Sequence, residues 1–222
     1  MILNVFPLAE RPTEPVAPPA DASFRLYWFS QTIGPDRGLE DAVAALGLLK
    51  DWHVELHLRG EWQAGYEPQL RELGRRAGVP DDRLVSLPPA PAEDMVRLAA
   101  PFHAGLALED GATVNHDIAL SNKLFTYLLA GVPVVASATT AQKWFSRAAA
   151  EATCVYPPGQ AGALATVLRP WLTNADTWSA ARRAAWRLGQ ERFNWDLEQR
   201  AFIALIDRVM ADAGPRRAEI AS

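Results

Sequence analysis

Strand-like and helix-like segments alternate along nearly the whole chain, and this alternation decides the fold class. Phe24 to Ser30 (FRLYWFS) is apolar on both faces, as in a central strand of a parallel sheet. Five more strand-like runs follow: Val54 to Leu58, Leu84 to Leu87, Ala104 to Leu108, Val134 to Ala136 and Thr153 to Tyr156. Helical spacing fills the gaps between them. Leu39, Ala42, Val43, Leu46 and Leu49 share one face, as do Leu70, Leu73 and Ala77 before Gly78. Pro91 opens a helix to Ala99, and Thr139-Thr140-Ala141-Gln142 resembles a capping box for a helix to Ala150. Helices are predicted over 161–173, 177–193 and 195–210, with Leu197, Ala201, Leu205 and Val209 aligned in the last. The expected fold is α/β: a Rossmann-like, doubly wound parallel sheet of about six strands, helices on both faces, and extra C-terminal helices. Ligands in such sheets bind beyond the C-terminal strand ends, near the point where strand order reverses. The segments to watch are Ser30 to Gly38, Arg59 to Trp62, Leu87 to Ala90, Glu109 to Lys123, and Ser137 to Gln142.

Composition narrows the function classes. With 222 residues, 49% of them apolar and 22% charged, the chain can bury a real core. A net charge of −4 argues against a nucleic-acid-binding protein driven by phosphate neutralisation. The single cysteine, Cys154, allows no internal disulfide and fits a reducing compartment; its setting, Thr153-Cys154-Val155, reads as a buried strand where it packs. No run approaches the roughly 20 apolar residues of a membrane span. The N-terminus MILNVFPLAE lacks the basic region of a signal peptide, so a cytoplasmic location is expected. Prolines at 7, 12, 15, 18 and 19 mark a stiff linker. The expected organisation is an extended segment and interdomain linker over 1–22, one domain over 23–213, and a disordered tail over 214–222.

Asn115 to Ser137 (NHDIALSNKLFTYLLAGVPVVAS) carries the strongest local signal. A polar loop enters an almost wholly apolar helix, which must therefore be buried. Ser121 is placed to cap it, Gly131 to end it in a left-handed turn, and Pro133 to stop it. Free N–H groups and the positive end of the helix dipole suit a phosphate at Ser121-Asn122-Lys123. A buried helix with ordinary caps explains the same residues. The first loop, SQTIGPDRG, holds Gly34, Gly38 and Arg37, which can admit and pair with a phosphate. It lacks G-x-G-x-x-G and G-K-[ST], so neither a standard dinucleotide site nor a Walker site is indicated. Arg59 ends the second strand, and Glu109-Asp110 could bind a sugar hydroxyl. Of four histidines only His116 lies in a strand-end loop, and none has metal-ligand spacing. Each of these residues could equally be a plain surface group.

Together, three segments resemble the C-terminal half of nucleotide-sugar-dependent glycosyltransferases of the two-domain GT-B fold (retaining, group 1-like). They are FSQTIGPDRGLE, LHLRG and SNKLFTYLLAGVPVVAS, the last resembling that family's P-N-K…E-Y-(M/L)-A-x-G-x-P-V segment. FNWDLEQRAFIALI resembles its closing helix, and ILNVFPL the segment before its interdomain linker. The resemblance covers roughly residues 24 to 210.

The resemblance implies a donor-binding domain for a nucleoside-diphosphate sugar, with the acceptor held by a missing N-terminal domain or partner chain. Arg37 and Lys123 would stabilise the departing diphosphate. Gln31, Thr32, Gly38, Arg59, Glu109, His116, Ser121, Asn122 and Thr126 would line the donor site. No metal or other cofactor is expected, and no nucleic-acid partner; peripheral membrane contact would come through the missing half. Two departures stand out. Thr126 falls where the family's ribose-binding glutamate would be, and Ile118 where its sugar-contacting glutamate would be. The earlier basic position of the first loop falls near Gln31, which is not basic. Two alternatives remain open: a degenerate, non-catalytic interaction module, and another small-molecule-binding doubly wound domain.

Overall fold

A computed structural model describes residues 2–21, 23–111 and 113–213. Six strands form one sheet in the order β3-β2-β1-β4-β5-β6, and every neighbouring pair is parallel. The strands are β1 (Phe24–Ile33), β2 (Val54–Trp62), β3 (Leu84–Leu87), β4 (Ala104–Ala107), β5 (Val134–Ser137) and β6 (Thr153–Tyr156). The helices are α1 (Leu39–Leu48), α2 (Tyr66–Arg76), α3 (Met95–Ala99), α4 (Val114–Ile118), α5 (Asn122–Leu129), α6 (Thr140–Ala148), α7 (Ala161–Thr173), α8 (Ala175–Glu191) and α9 (Trp195–Ala213). This is the expected doubly wound sheet. Strand order reverses between β1 and β4, so the ligand crevice of such a fold lies over their C-terminal ends.

The sheet is covered on both faces because β1 is apolar on both. Leu26 and Trp28 join a core with α1, α2 and α7, while Tyr27 joins a second core with α3, α5, α6 and α8. All three side chains are fully buried. Helix α5 is buried from Leu124 to Leu129, as its unbroken apolar run requires. Gly131 ends it at φ +72°, the left-handed conformation that glycine adopts without strain.

Several expectations are corrected. β1 and β2 run past the predicted ends, so Gln31, Thr32 and Arg59 lie within strands and not in loops. The reason is a bulge: Phe29 pairs with Arg59 but Thr32 pairs with Glu61, leaving one extra residue in β1. Gly60 makes it feasible at φ +145°, where a Cβ would sit 2.3 Å from the Ser30 carbonyl oxygen. The polar stretch from Asn115 is not all loop, because α4 occupies most of its first half. Ser121 stands at the N-cap of α5 but its hydroxyl makes no capping bond. Thr139 does cap α6 through the Gln142 N–H at 3.3 Å, yet the Gln142 amide returns no bond, so the box is half formed. Cys154 is only partly buried, on the edge strand β6. The apolar stripe of α9 is open to solvent: Leu205 is 49% exposed and Val209 57%.

The segment expected as a linker lies against the domain. Val5 is buried in the α5 core, and Phe6, Leu8 and Val16 pack beside it. Half-buried Arg182 holds it further, donating to the carbonyls of Val16 (2.5 Å) and Phe102 (2.6 Å). The expected tail, 214–222, lies outside the described residues.

Candidate functional site

Above the strand ends β1 and β2 lies a cavity of about 730 Å³, within the roughly 300–1,000 Å³ of small-molecule sites. The bulge and strand alternation aim Ser30, Gln31, Arg59 and Glu61 into it; the loop after β3 adds Pro89 and Ala90; Met95 and Phe6 close its sides. The start of α5 supplies Ser121, Asn122, Lys123 and Thr126.

Lys123 dominates the chemistry at the α5 end. Part of its side chain still faces the cavity, yet the ammonium packs 5.2 Å from the Trp28 ring and 5.9 Å from Phe29. Burial lowers its pKa, Glu109 partly opposes that, and nearby Arg37 lowers it further. Among the described residues, neither Lys123 nor Arg37 has a hydrogen bond or ion pair. A desolvated cation without a bonded counter-charge is costly, and an anion beside Lys123 would offset that cost. The N–H groups of Asn122 and Lys123 likewise donate to no protein group. Lys123 and a helix N-terminus thus meet at the cavity, and Arg37, which does not line it, acts on Lys123 through its charge.

The other predicted residues divide. Gln31, Arg59, Ser121, Asn122 and Thr126 line this cavity with Lys123. Arg59 is held in place, its Nε donating to the Tyr27 hydroxyl (2.8 Å) and one terminal nitrogen to the Pro88 carbonyl (2.7 Å). The Asn122 amide oxygen accepts from Asn4 at 3.1 Å. Thr126 is fully buried, and its hydroxyl donates to the Asn122 carbonyl at 3.1 Å, leaving only acceptor capacity toward the cavity. Gly38 and Glu109 line a separate acidic depression of about 310 Å³ with Asp36, Glu40, Asp41 and Asp110. Thr32 and His116 line neither space; His116 is bound through Nδ1 to Asp110 at 2.7 Å. Ile118 is 63% exposed and borders an apolar cavity of about 450 Å³. Sequence reasoning reached the segments holding Glu61, Pro89 and Ala90 but singled out none of them. Phe6 and Met95 carried no signal, because they arrive from distant parts of the chain.

Among the described residues no group of three His, Cys, Asp or Glu could hold a metal, and no helix is long and apolar enough to cross a membrane.

No family profile and no curated protein matches the sequence. Solved structures do match in fold. HepE of Anabaena in complex with UDP superposes with a TM-score of 0.77 at 17% identity, over 93% of this chain and 57% of that one. Sucrose-phosphate synthase of Thermosynechococcus elongatus gives 0.69 at 18%, over 87% of this chain and 47% of that one. The C-terminal domain of a group 1 family glycosyl transferase, LpcC, of Francisella tularensis gives 0.61 at 12%, over 80% of this chain and 89% of that domain. The chain therefore spans about half the length of the first two and most of the isolated C-terminal domain.

Proposed function

From the fold of the C-terminal half of a GT-B glycosyltransferase, which this chain has, we propose that it binds the nucleoside diphosphate of a sugar donor. One observation carries this reading. Lys123, which makes no hydrogen bond or ion pair, stands with the free N–H groups of α5 at one end of a cavity of nucleotide size, and Arg37 acts on it through its charge. HepE, a neighbour in fold, is seen with UDP and with UDP-glucose, which supports the same ligand class here.

The chemistry follows from where charge develops. When the bond from the anomeric carbon to the β-phosphate oxygen breaks, its electron pair stays on the diphosphate. Lys123, Arg37 and the α5 N-terminus offset that charge where it grows, a preorganised electrostatic effect. The acceptor is held by a further domain or partner chain, and the acceptor hydroxyl's proton leaves as the new bond forms.

A second reading rests on a specific observation. Thr126 can only accept a hydrogen bond at the expected ribose position, and Ile118 is apolar at the expected sugar position. A module that binds a nucleotide without transferring sugar would keep the cations and lose those carboxylates.

Calorimetric titration of the full chain with GDP, UDP and their sugars tests the binding. Millimolar or tighter affinity is expected for at least one. Lys123→Ala and Arg37→Ala should each weaken it about tenfold or more, the loss of a charge-assisted contact. No binding at millimolar concentration would remove the proposal. Binding without sugar transfer, once the acceptor-holding half is supplied, would select the non-catalytic reading.

A further inference from the structure

Three charged side chains line the main cavity, and only Lys123 lies at its α5 end. Arg59 and Glu61 lie toward the β3 side, two residues apart on β2, so strand alternation puts both on one face. Arg59 is locked by Tyr27 and Pro88, which leaves one terminal nitrogen uncommitted. Glu61 is exposed to the cavity and, among the described residues, has no hydrogen bond or ion pair. Pro89, Ala90 and Met95 supply apolar surface beside them, suited to the faces of a planar ring. A fixed donor and a free carboxylate acceptor therefore stand together at an apolar slot, at the end of the cavity away from the phosphate cations.

Bases differ in what they offer such a pair. Guanine presents adjacent N1–H and N2–H donors, which a carboxylate takes with both oxygens, and O6 and N7 acceptors for a guanidinium. Uracil has one N–H donor flanked by two carbonyls, so a carboxylate gains one bond and meets two repulsive oxygens. Cytosine and adenine offer the carboxylate an exocyclic amine with no adjacent ring N–H.

We propose that this cavity selects guanine, with Glu61 reading the N1 and N2 edge and Arg59 the O6 and N7 edge. The proposal rests on the nucleoside-diphosphate reading above and adds the identity of the base.

The test is calorimetry of the full chain with GDP, UDP and ADP, repeated with Glu61→Gln. Glutamine keeps the shape but offers the guanine edge one acceptor and a clashing amine. GDP should bind at least tenfold tighter than UDP and ADP, from one good bidentate pairing. Glu61→Gln should weaken GDP and bring it to within about threefold of UDP, whose affinity should hold or rise because the amide can donate to a uracil carbonyl. UDP or ADP binding as well as GDP overturns the guanine assignment and leaves the diphosphate site intact. So does a GDP preference that survives Glu61→Gln. If no nucleoside diphosphate binds, the underlying functional reading falls as well.

Discussion

At the scale of single residues, burial decides which groups carry charge. His103 stacks near Phe24 and Trp178, at centroid distances of 4.8 and 5.2 Å, and its Nδ1 accepts the Arg25 N–H at 3.1 Å. A proton on Nδ1 would break that bond. Burial first, then the charges of Arg182 and Arg25, hold the imidazole pKa down to about 4. The unfolded chain takes up this proton near pH 6.5. Between about 6.5 and 4 the unfolded state therefore binds a proton that the folded state refuses. Stability is complete above that window and falls as pH drops through it, by on the order of 2 to 3 kcal/mol. His57, also held down by burial, adds to the same loss. Glu55, lowered to about 2, gives up its own contribution only as pH falls from about 4.5 toward 2. Urea unfolding at pH 7 and pH 4.5 should show the loss, and His103→Gln should flatten most of it. An unchanged slope in that variant would mean that His103 titrates normally.

At the scale of elements, the site depends on how closely α5 approaches the sheet. Tyr127 lies on β4 at Gly105, where an added Cβ would stand 2.3 Å from the ring. Its hydroxyl donates to the Tyr27 and Leu106 carbonyls, at 3.0 and 3.2 Å. On the other side Gly189 of α8 lets the α5 backbone come near, since a Cβ there would meet the Leu128 carbonyl oxygen at 2.5 Å. Gly105→Ala should therefore push α5 off the sheet, at a cost of about 1 to 3 kcal/mol. For a domain of this size that lowers Tm by roughly 3 to 10 °C. A shift under about 1 °C would show that Tyr127 swings aside freely. Much of this was legible in the sequence. The apolar run of α5 and the Gly131-Val132-Pro133 stop specify a buried helix and its end, because those signals are local. The lengths of β1 and β2 were not legible. They depend on a bulge in which Gly60 faces the Ser30 carbonyl, a contact between residues thirty positions apart. Ser121 misled for the opposite reason: a good capping residue was present, but its hydroxyl makes no capping bond.

At the scale of the whole molecule, the reversal of strand order between β1 and β4 creates the crevice, and parts far apart in the chain furnish it. Phe6 comes from the N-terminal segment, Gln31 from β1, Arg59 and Glu61 from β2, Pro89 from the loop after β3, and Lys123 from α5. The alternating pattern foretold the crevice but could not tell which strand-end residues face one another. Glu109 shows the limit: it ends the strand beside the crevice, yet lines the acidic depression and reaches Lys123 only through its field.

The proposed diphosphate site is tested most directly by crossing two changes, one in the ligand and one in the protein. Affinities of a nucleoside and its diphosphate would be measured by calorimetry, for the full chain and for Lys123→Ala. The native chain should bind the diphosphate at least tenfold tighter than the nucleoside, and Lys123→Ala should erase most of that advantage while leaving nucleoside binding unchanged. A diphosphate that binds no tighter than its nucleoside, or an advantage that persists without Lys123, would contradict a phosphate site at the start of α5.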